Sequence, residues 1–252
     1  MGRRALARLG FAATGILYVT IGLTAARVAF AGARDRIAGM PGALRLLLRQ
    51  PHGRLVLAAV AAGLAAFLFW HLLEARRRGR TFERLAHLLG AAGYGALLWS
   101  AVSLLLRLRQ ESPRLERTAL AWLLSRHWGV VAVEAAGALT IGAGLLEIGQ
   151  GLTGRLRNRF ATRWLPTDAA RFVKRMARFG LAARGFVLVV IGVFQVRVAV
   201  DLDPDELSEI GGALKALSRA PAGGPLLTGA VSLGLVAYGL YMGVLAIAAR
   251  QR

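Results

Sequence analysis

The stretch "ARLGFAATGILYVTIGLTAARVA" at residues 7–29 returns as "ARFGLAARGFVLVVIGVFQVRVA" at residues 177–199, an offset of 170. Twelve of the twenty-four aligned pairs over 6–29 and 176–199 are identical, among them Arg8, Gly10, Gly15, Gly22 and Arg27 with their partners. The offset continues into "GALRLLLRQPHG" (42–53) and "GALKALSRAPAG" (212–223), so a whole unit is duplicated. A third, more diverged copy lies between them. Gly90, Ala92, Gly95 and Arg107 follow Gly10, Ala12, Gly15 and Arg27 by 80 residues, and "ALAWLLSRHWG" (119–129) stands where the other copies carry a short amphipathic segment. Self-similarity at a fixed spacing marks a fold built from one repeated supersecondary unit.

The unit is oily. Of 252 residues 56% are hydrophobic and only 18% charged, with a mean hydropathy of +0.53, yet the net charge is +20. High hydropathy and high charge coexist only if they are segregated. The charges do cluster between apolar runs at 55–73, 85–106, 129–146, 179–196 and 226–249, each near the ~20 residues that cross a bilayer core. The pattern predicts six membrane helices at roughly 10–30, 54–74, 86–107, 129–149, 179–199 and 226–248. The expected fold is all-α and polytopic, three tandem two-helix repeats over 1–78, 79–160 and 161–252. Each repeat crosses the membrane an even number of times, so all three enter in the same direction. A parallel repeat about an axis along the membrane normal, with pseudo-threefold symmetry, follows. Arg3 and Arg4, an apolar run and "AFAGA" at 29–33 imitate a secretory signal. The echo deep inside the chain at 177–199 argues that the first helix is retained.

The chain resembles the bacterial integral-membrane family catalogued as domain of unknown function 1206. The residues that carry the resemblance are the "RLGFAATG" and "RFGLAARG" starts, the "GALRLL" and "GALKAL" segments, and the glycine-led second helices "GLAAFLFW" (63–70) and "GLVAYGLY" (234–241). The middle copy has Leu88 at the Arg8 position and His127 at the Pro51 position. The resemblance implies a membrane location and the two-helix unit three times over.

Basic residues give an orientation. The side holding the N-terminus, the second and fourth connectors and the C-terminus carries 18 Lys and Arg against 11 on the other, which places both termini in the cytoplasm of a plasma-membrane protein. The partners this implies are anionic lipid headgroups and a protein partner within the membrane, not nucleic acid. With no cysteine in the chain, disulfides, thiolate catalysis and cysteine-held metals are excluded. The segments at 41–50, 115–126 and 207–219 are too short to span. In the first of them Leu44, Leu47 and Leu48 share a side away from Arg45 and Arg49, as in a helix lying in the interface. Seven-residue spacings such as Gly15 with Gly22 supply close helix packing in lipid.

Two polar groups are candidates for function. Arg27, Arg107 and Arg197 fall near the outer ends of their helices, where snorkelling into headgroups or a ring around an anion is expected, and Glu134 is their natural counter-charge. On the cytoplasmic side, His71 and Glu74 share a helix face, His87 opens the next helix, and Glu147 closes the fourth. That set suits a proton relay, a His/Glu metal site, or haem held by His71 and His87. No hydrolase elbow, zinc-protease motif or nucleotide loop is present, so neither an enzyme nor a resident cofactor is expected. The leading expectation is a membrane scaffold or envelope component. The alternatives are a small ion- or proton-linked transporter using Glu134 and the outer arginines, and a haem-bearing redox protein.

Overall fold

Every predicted span closes into a helix, and most run past the oily stretch that predicts them. The computed structural model describes residues 3–31, 39–77, 81–106, 122–154, 166–201, 213–215, 217 and 224–248. The helices are α1 (Arg3–Ala31), α2 (Met40–Leu48), α3 (Gly53–Arg77), α4 (Thr81–Leu105), α5 (His127–Thr153), α6 (Thr167–Asp201) and α7 (Gly224–Ala248), with no strand among the described residues. α6 starts at Thr167 rather than 179 because its first turns are amphipathic instead of oily. Val173 and Ala177 are buried there, Arg171, Lys174 and Arg175 are exposed, and Arg171 pairs with Asp168. Hydropathy stops where charges begin, whereas helical periodicity continues through them.

Five helices, α1, α3, α5, α6 and α7, are long and apolar enough to cross a membrane. In α4 the apolar part is only Gly90–Leu105, since its first turns hold Glu83, Arg84 and His87. Of the three short segments, 41–50 forms α2. Those at 115–126 and 207–219 lie largely outside the described residues. Pro41 sits in the first turn of α2, where its missing N–H costs nothing. Ala43, Leu44 and Leu47 are buried and Arg45 and Arg49 are exposed, as the sequence predicts. Leu44 has no exposed surface, so this helix is folded down onto α1, α3 and α4. His52 takes a left-handed conformation, φ +60°, in the tight turn into α3. Gly154, φ +68°, ends α5 in the same region, a common way to stop a helix.

The long helices pack in the series α4–α3–α1–α7–α6–α5, which is the chain order of a ring. Each of the five interfaces is antiparallel. Ala13 of α1 meets Gly63 of α3, and Ala183 of α6 meets Gly234 of α7, at corresponding positions within the first and third repeats. Between repeats the correspondence is closer still. A Cβ on Gly15 would lie 2.8 Å from the carbonyl oxygen of Gly239, and one on Gly185 would lie 2.6 Å from that of Gly144. One turn pair further along, Gly22 faces Ser232 and Val236, while Gly192 faces Gly137 and Ile141. These are the same contacts related by the repeat, so α7 meets α1 as α5 meets α6. The third such interface joins α3 to α4, with Leu68 against Gly95 at 3.9 Å.

One junction is missing from the threefold pattern. α4 and α5, the two helices of the middle repeat, share no packed interface among the described residues. Leu139 occupies the place that Gly63 and Gly234 hold in the other repeats, and nothing lies within 4 Å of a Cβ placed on Gly93, the counterpart of Ala13. Among the described residues the ring is therefore open along one seam.

Arginine capping follows the same repeat. Arg178 Nε donates to the Gly151 carbonyl at 2.9 Å at the end of α5, and Arg8 Nε donates to the Ala246 carbonyl at 3.2 Å at the end of α7. Each guanidinium satisfies the last carbonyls of the neighbouring helix and complements its negative end. The Arg8–Ala246 bond also fixes the starts of α1 and the end of α7 at one end of the bundle. Leu88 makes this contact impossible in the middle repeat. Outward positions carry large apolar side chains, for example Phe69, Trp99, Leu146, Phe172 and Leu240. At the start of α5 the exposed rings of Trp122 and Trp128 pack edge to face, as in the aromatic belt of a membrane interface.

Candidate functional site

The inside of the ring is polar where the outside is oily. Position 14 of the first repeat is Thr14, and its counterparts on α4 and α6 are Tyr94 and Arg184. On the second helices, His71 of α3, Glu147 of α5 and Met242 of α7 correspond. Thr14, Tyr94, Glu147 and Met242 line one hollow, Arg184 pairs with Glu147, and His71 stacks on Tyr94. The Arg184 guanidinium forms an ion pair with Glu147, and its Nε donates to the Tyr18 hydroxyl at 2.7 Å. It also lies over the rings of Tyr18 and Tyr238, at 5.5 and 5.1 Å from their centroids. A guanidinium held by a carboxylate and two aromatic faces is well compensated for leaving water.

Beside this pair is a cavity of about 230 Å³ to which every long helix contributes. Phe11 and Thr14 come from α1, Phe67 from α3, Tyr94 from α4, Glu147 and Gln150 from α5, Leu181 from α6, and Tyr238, Tyr241 and Met242 from α7. The side chains of Arg184 and Glu147 keep 22% and 20% of their surface accessible despite their depth. Glu147 lines the hollow. Two buried oxygens at the cavity have no hydrogen-bond partner, Glu147 Oε2 and Thr14 Oγ1.

The cytoplasmic-side group predicted from sequence is split. His71 and His87 do meet, with Nδ1 to Nδ1 at 3.2 Å, and the His71 ring stacks on Tyr94 at 5.3 Å. Glu74 lies on the same face of α3, and its charge acts on His71. Glu147 instead serves Arg184. An iron held axially by two imidazoles needs them roughly 4 Å apart, nitrogen to nitrogen, at ~2 Å per bond. The histidines form a direct hydrogen-bonded pair in which one ring donates and the other accepts. Among the described residues no three His, Asp or Glu side chains are grouped to hold a metal ion.

Of the outer group, Arg27 and Arg197 are exposed at the far ends of α1 and α6, and Arg107 lies outside the described residues. Glu134 is half-buried near the start of α5, is not paired with Arg27 or Arg197, and does not line the central cavity. Sequence reasoning passed over Arg184 as the partner of Glu147. The available signal was the repeat itself: within otherwise matching helices, Arg184 replaces Thr14 and Glu147 replaces His71, placing opposite charges where lipid tolerates neither alone.

Long helices that are apolar outside and keep an Arg184–Glu147 pair inside the bundle define a polytopic membrane protein made of two-helix repeats. Residues 9–78 and 179–249 match the family described as Domain of Unknown Function (DUF1206), and the chain belongs to that family. The two matched regions are the first and third repeats. The chain is also similar to the uncharacterized protein YxxB of Bacillus subtilis (strain 168), 29% identical over 243 residues that cover 93% of this chain and 86% of that one. No solved structure matches.

Proposed function

We propose that this protein is a small proton-linked plasma-membrane transporter, not an enzyme, that binds its solute beside Glu147 and Arg184 inside the bundle. One observation carries the reading: a cavity lined from all six long helices, with a carboxylate oxygen beside it that no described residue satisfies. A scaffold needs only packed helices. A buried ion pair adds little to stability over apolar packing, so charges kept at a hollow centre point to a solute or ion path. On this reading the transport site is Glu147 rather than Glu134. The excess of basic residues at the end bearing Arg8 and Ala246 supports cytoplasmic termini. Arg76 and Arg84 border an apolar groove of about 260 Å³ between α3 and α4 at that end, which suits an anionic headgroup.

The test is proton flux into proteoliposomes loaded with a pH-sensitive dye, under an imposed membrane potential. Wild-type protein carries flux above that of empty vesicles, and Glu147→Gln abolishes it while remaining monodisperse in detergent. Glu134→Gln retains it. A wild-type flux no greater than that of empty vesicles, or one indifferent to Glu147, returns the protein to the scaffold reading.

A further inference from the structure

The chemistry left unmet in the central cavity selects its occupant. Glu147 is the one charged side chain among those lining it, and one of its oxygens is unpartnered. Thr14, only 4% exposed, also lines it, and its Oγ1, next to Tyr94, makes no hydrogen bond of ordinary geometry. The remaining walls are largely aromatic, with Phe11, Phe67, Tyr94 and Tyr238 prominent. Arg184 does not line the cavity. Its charge is spent on the other oxygen of Glu147 and on the faces of Tyr18 and Tyr238. The hollow therefore offers acceptors and ring faces.

We propose that the cavity binds a small organic cation, an alkylammonium or guanidinium compound, whose N–H groups reach Glu147 and Thr14 while its apolar body lies against Tyr94 and Phe67. The proposal rests on the transport reading and names its substrate class. Donors on the ligand satisfy the two orphan oxygens, and ring faces attract a desolvated cation. Arg184 already shows that chemistry within the protein, since its own guanidinium sits on Glu147 between two tyrosines. An anion would bring further acceptors and leave the Glu147 and Thr14 oxygens without donors. A proton alone would fill neither the volume nor the aromatic walls. The cavity is smaller than the ~300–1,000 Å³ typical of sites for drug-sized ligands, which limits the occupant to a single ring or short chain.

The experiment measures binding to the purified full chain in detergent by thermal shift, with phenethylammonium and ethylammonium as probes and benzoate and acetate as controls. The ammonium probes raise the melting temperature in a saturable manner and the carboxylates do not. Tyr94→Leu weakens phenethylammonium binding about 5- to 30-fold, the loss of one to two desolvated ring contacts, and Tyr94→Phe restores it. Glu147→Gln abolishes it. Stabilisation by benzoate in place of the ammonium probes overturns the proposal in favour of an anion site on Arg184. If no probe binds while the proton flux still depends on Glu147, the substrate class is wrong and the transport reading stands. If flux is absent as well, both fall.

Discussion

At the scale of single residues, the decisive interaction is between two charges that neither lipid nor a packed core would accept separately. Arg184 is satisfied by Glu147, the Tyr18 hydroxyl and two ring faces, so removing one partner strands the other. Arg184→Leu is expected to cost about 3–5 kcal/mol, because it leaves a buried carboxylate without its counter-charge. The double variant Arg184→Leu, Glu147→Leu is expected to recover most of that, since both charges leave together. Thermal denaturation of the four proteins in one detergent measures the coupling, and simple additivity of the two single losses would show that the pair does not act as a unit. Sequence reading identified Glu147 as a functional candidate and placed His71 near His87, because both judgments needed only position along a helix. It did not pair Glu147 with Arg184, because that contact depends on which helices are neighbours. Neighbour order comes from α5 packing on α6 across a repeat boundary, and hydropathy carries no trace of it.

Helices meet here through glycine. With no hydrophobic drive between helices in lipid, packing rests on close backbone approach, and the five interfaces reuse a small set of contacts. A Cβ on Gly144 would sit 2.6 Å from the Gly185 carbonyl oxygen and 2.8 Å from a Val189 methyl, with no flexible side-chain end to yield the first. Gly144→Ala is accordingly expected to push α5 from α6 and destabilise by about 1–3 kcal/mol. Two residues away, Gly142 has nothing within 4 Å. Gly142→Ala is expected to be neutral or stabilising by up to ~1 kcal/mol, through helix propensity alone. Parallel melting curves of the two variants decide the matter, and equal losses would mean that α5 does not seat on α6 as described. The small-residue spacing Gly15 with Gly22 was legible in sequence as a packing face. Its partners, Gly239 and the Ser232 to Val236 turn, were not, since a glycine does not name what approaches it. Helix ends were read short for a related reason. α6 gains its first turns from an amphipathic segment whose Arg171 and Lys174 end the oily run without ending the helix.

For the whole molecule the repeat predicts a closed threefold ring, and among the described residues five of its six junctions form. The sixth, between α4 and α5, is where the middle copy diverges most: Leu88 has lost the capping arginine, and Leu139 replaces the glycine that lets the paired helix approach. Exchanging small and large residues across the pair, Gly93 against Leu139, would still allow contact, yet nothing reaches Gly93. Among the described residues this leaves a lateral gap beside Tyr94 and Glu147, on opposite banks of the cavity, and on the transport reading proposed above it is the route by which an amphipathic solute would enter from the bilayer. Because the chain has no cysteine, the opening can be tested directly. The pair Ala13→Cys, Gly63→Cys bridges a junction in which the Ala13 Cβ lies 2.6 Å from where a Cβ on Gly63 would be, so slight separation brings it to the ~3.8 Å of a disulfide. That pair is expected to form a bond in native membranes under mild oxidation. The corresponding pair across the seam, Gly93→Cys with Leu139→Cys, is expected to remain reduced unless bridged by a long bifunctional reagent. Rapid direct disulfide formation by the second pair would show that the ring closes, and that solute must enter along the bundle axis instead.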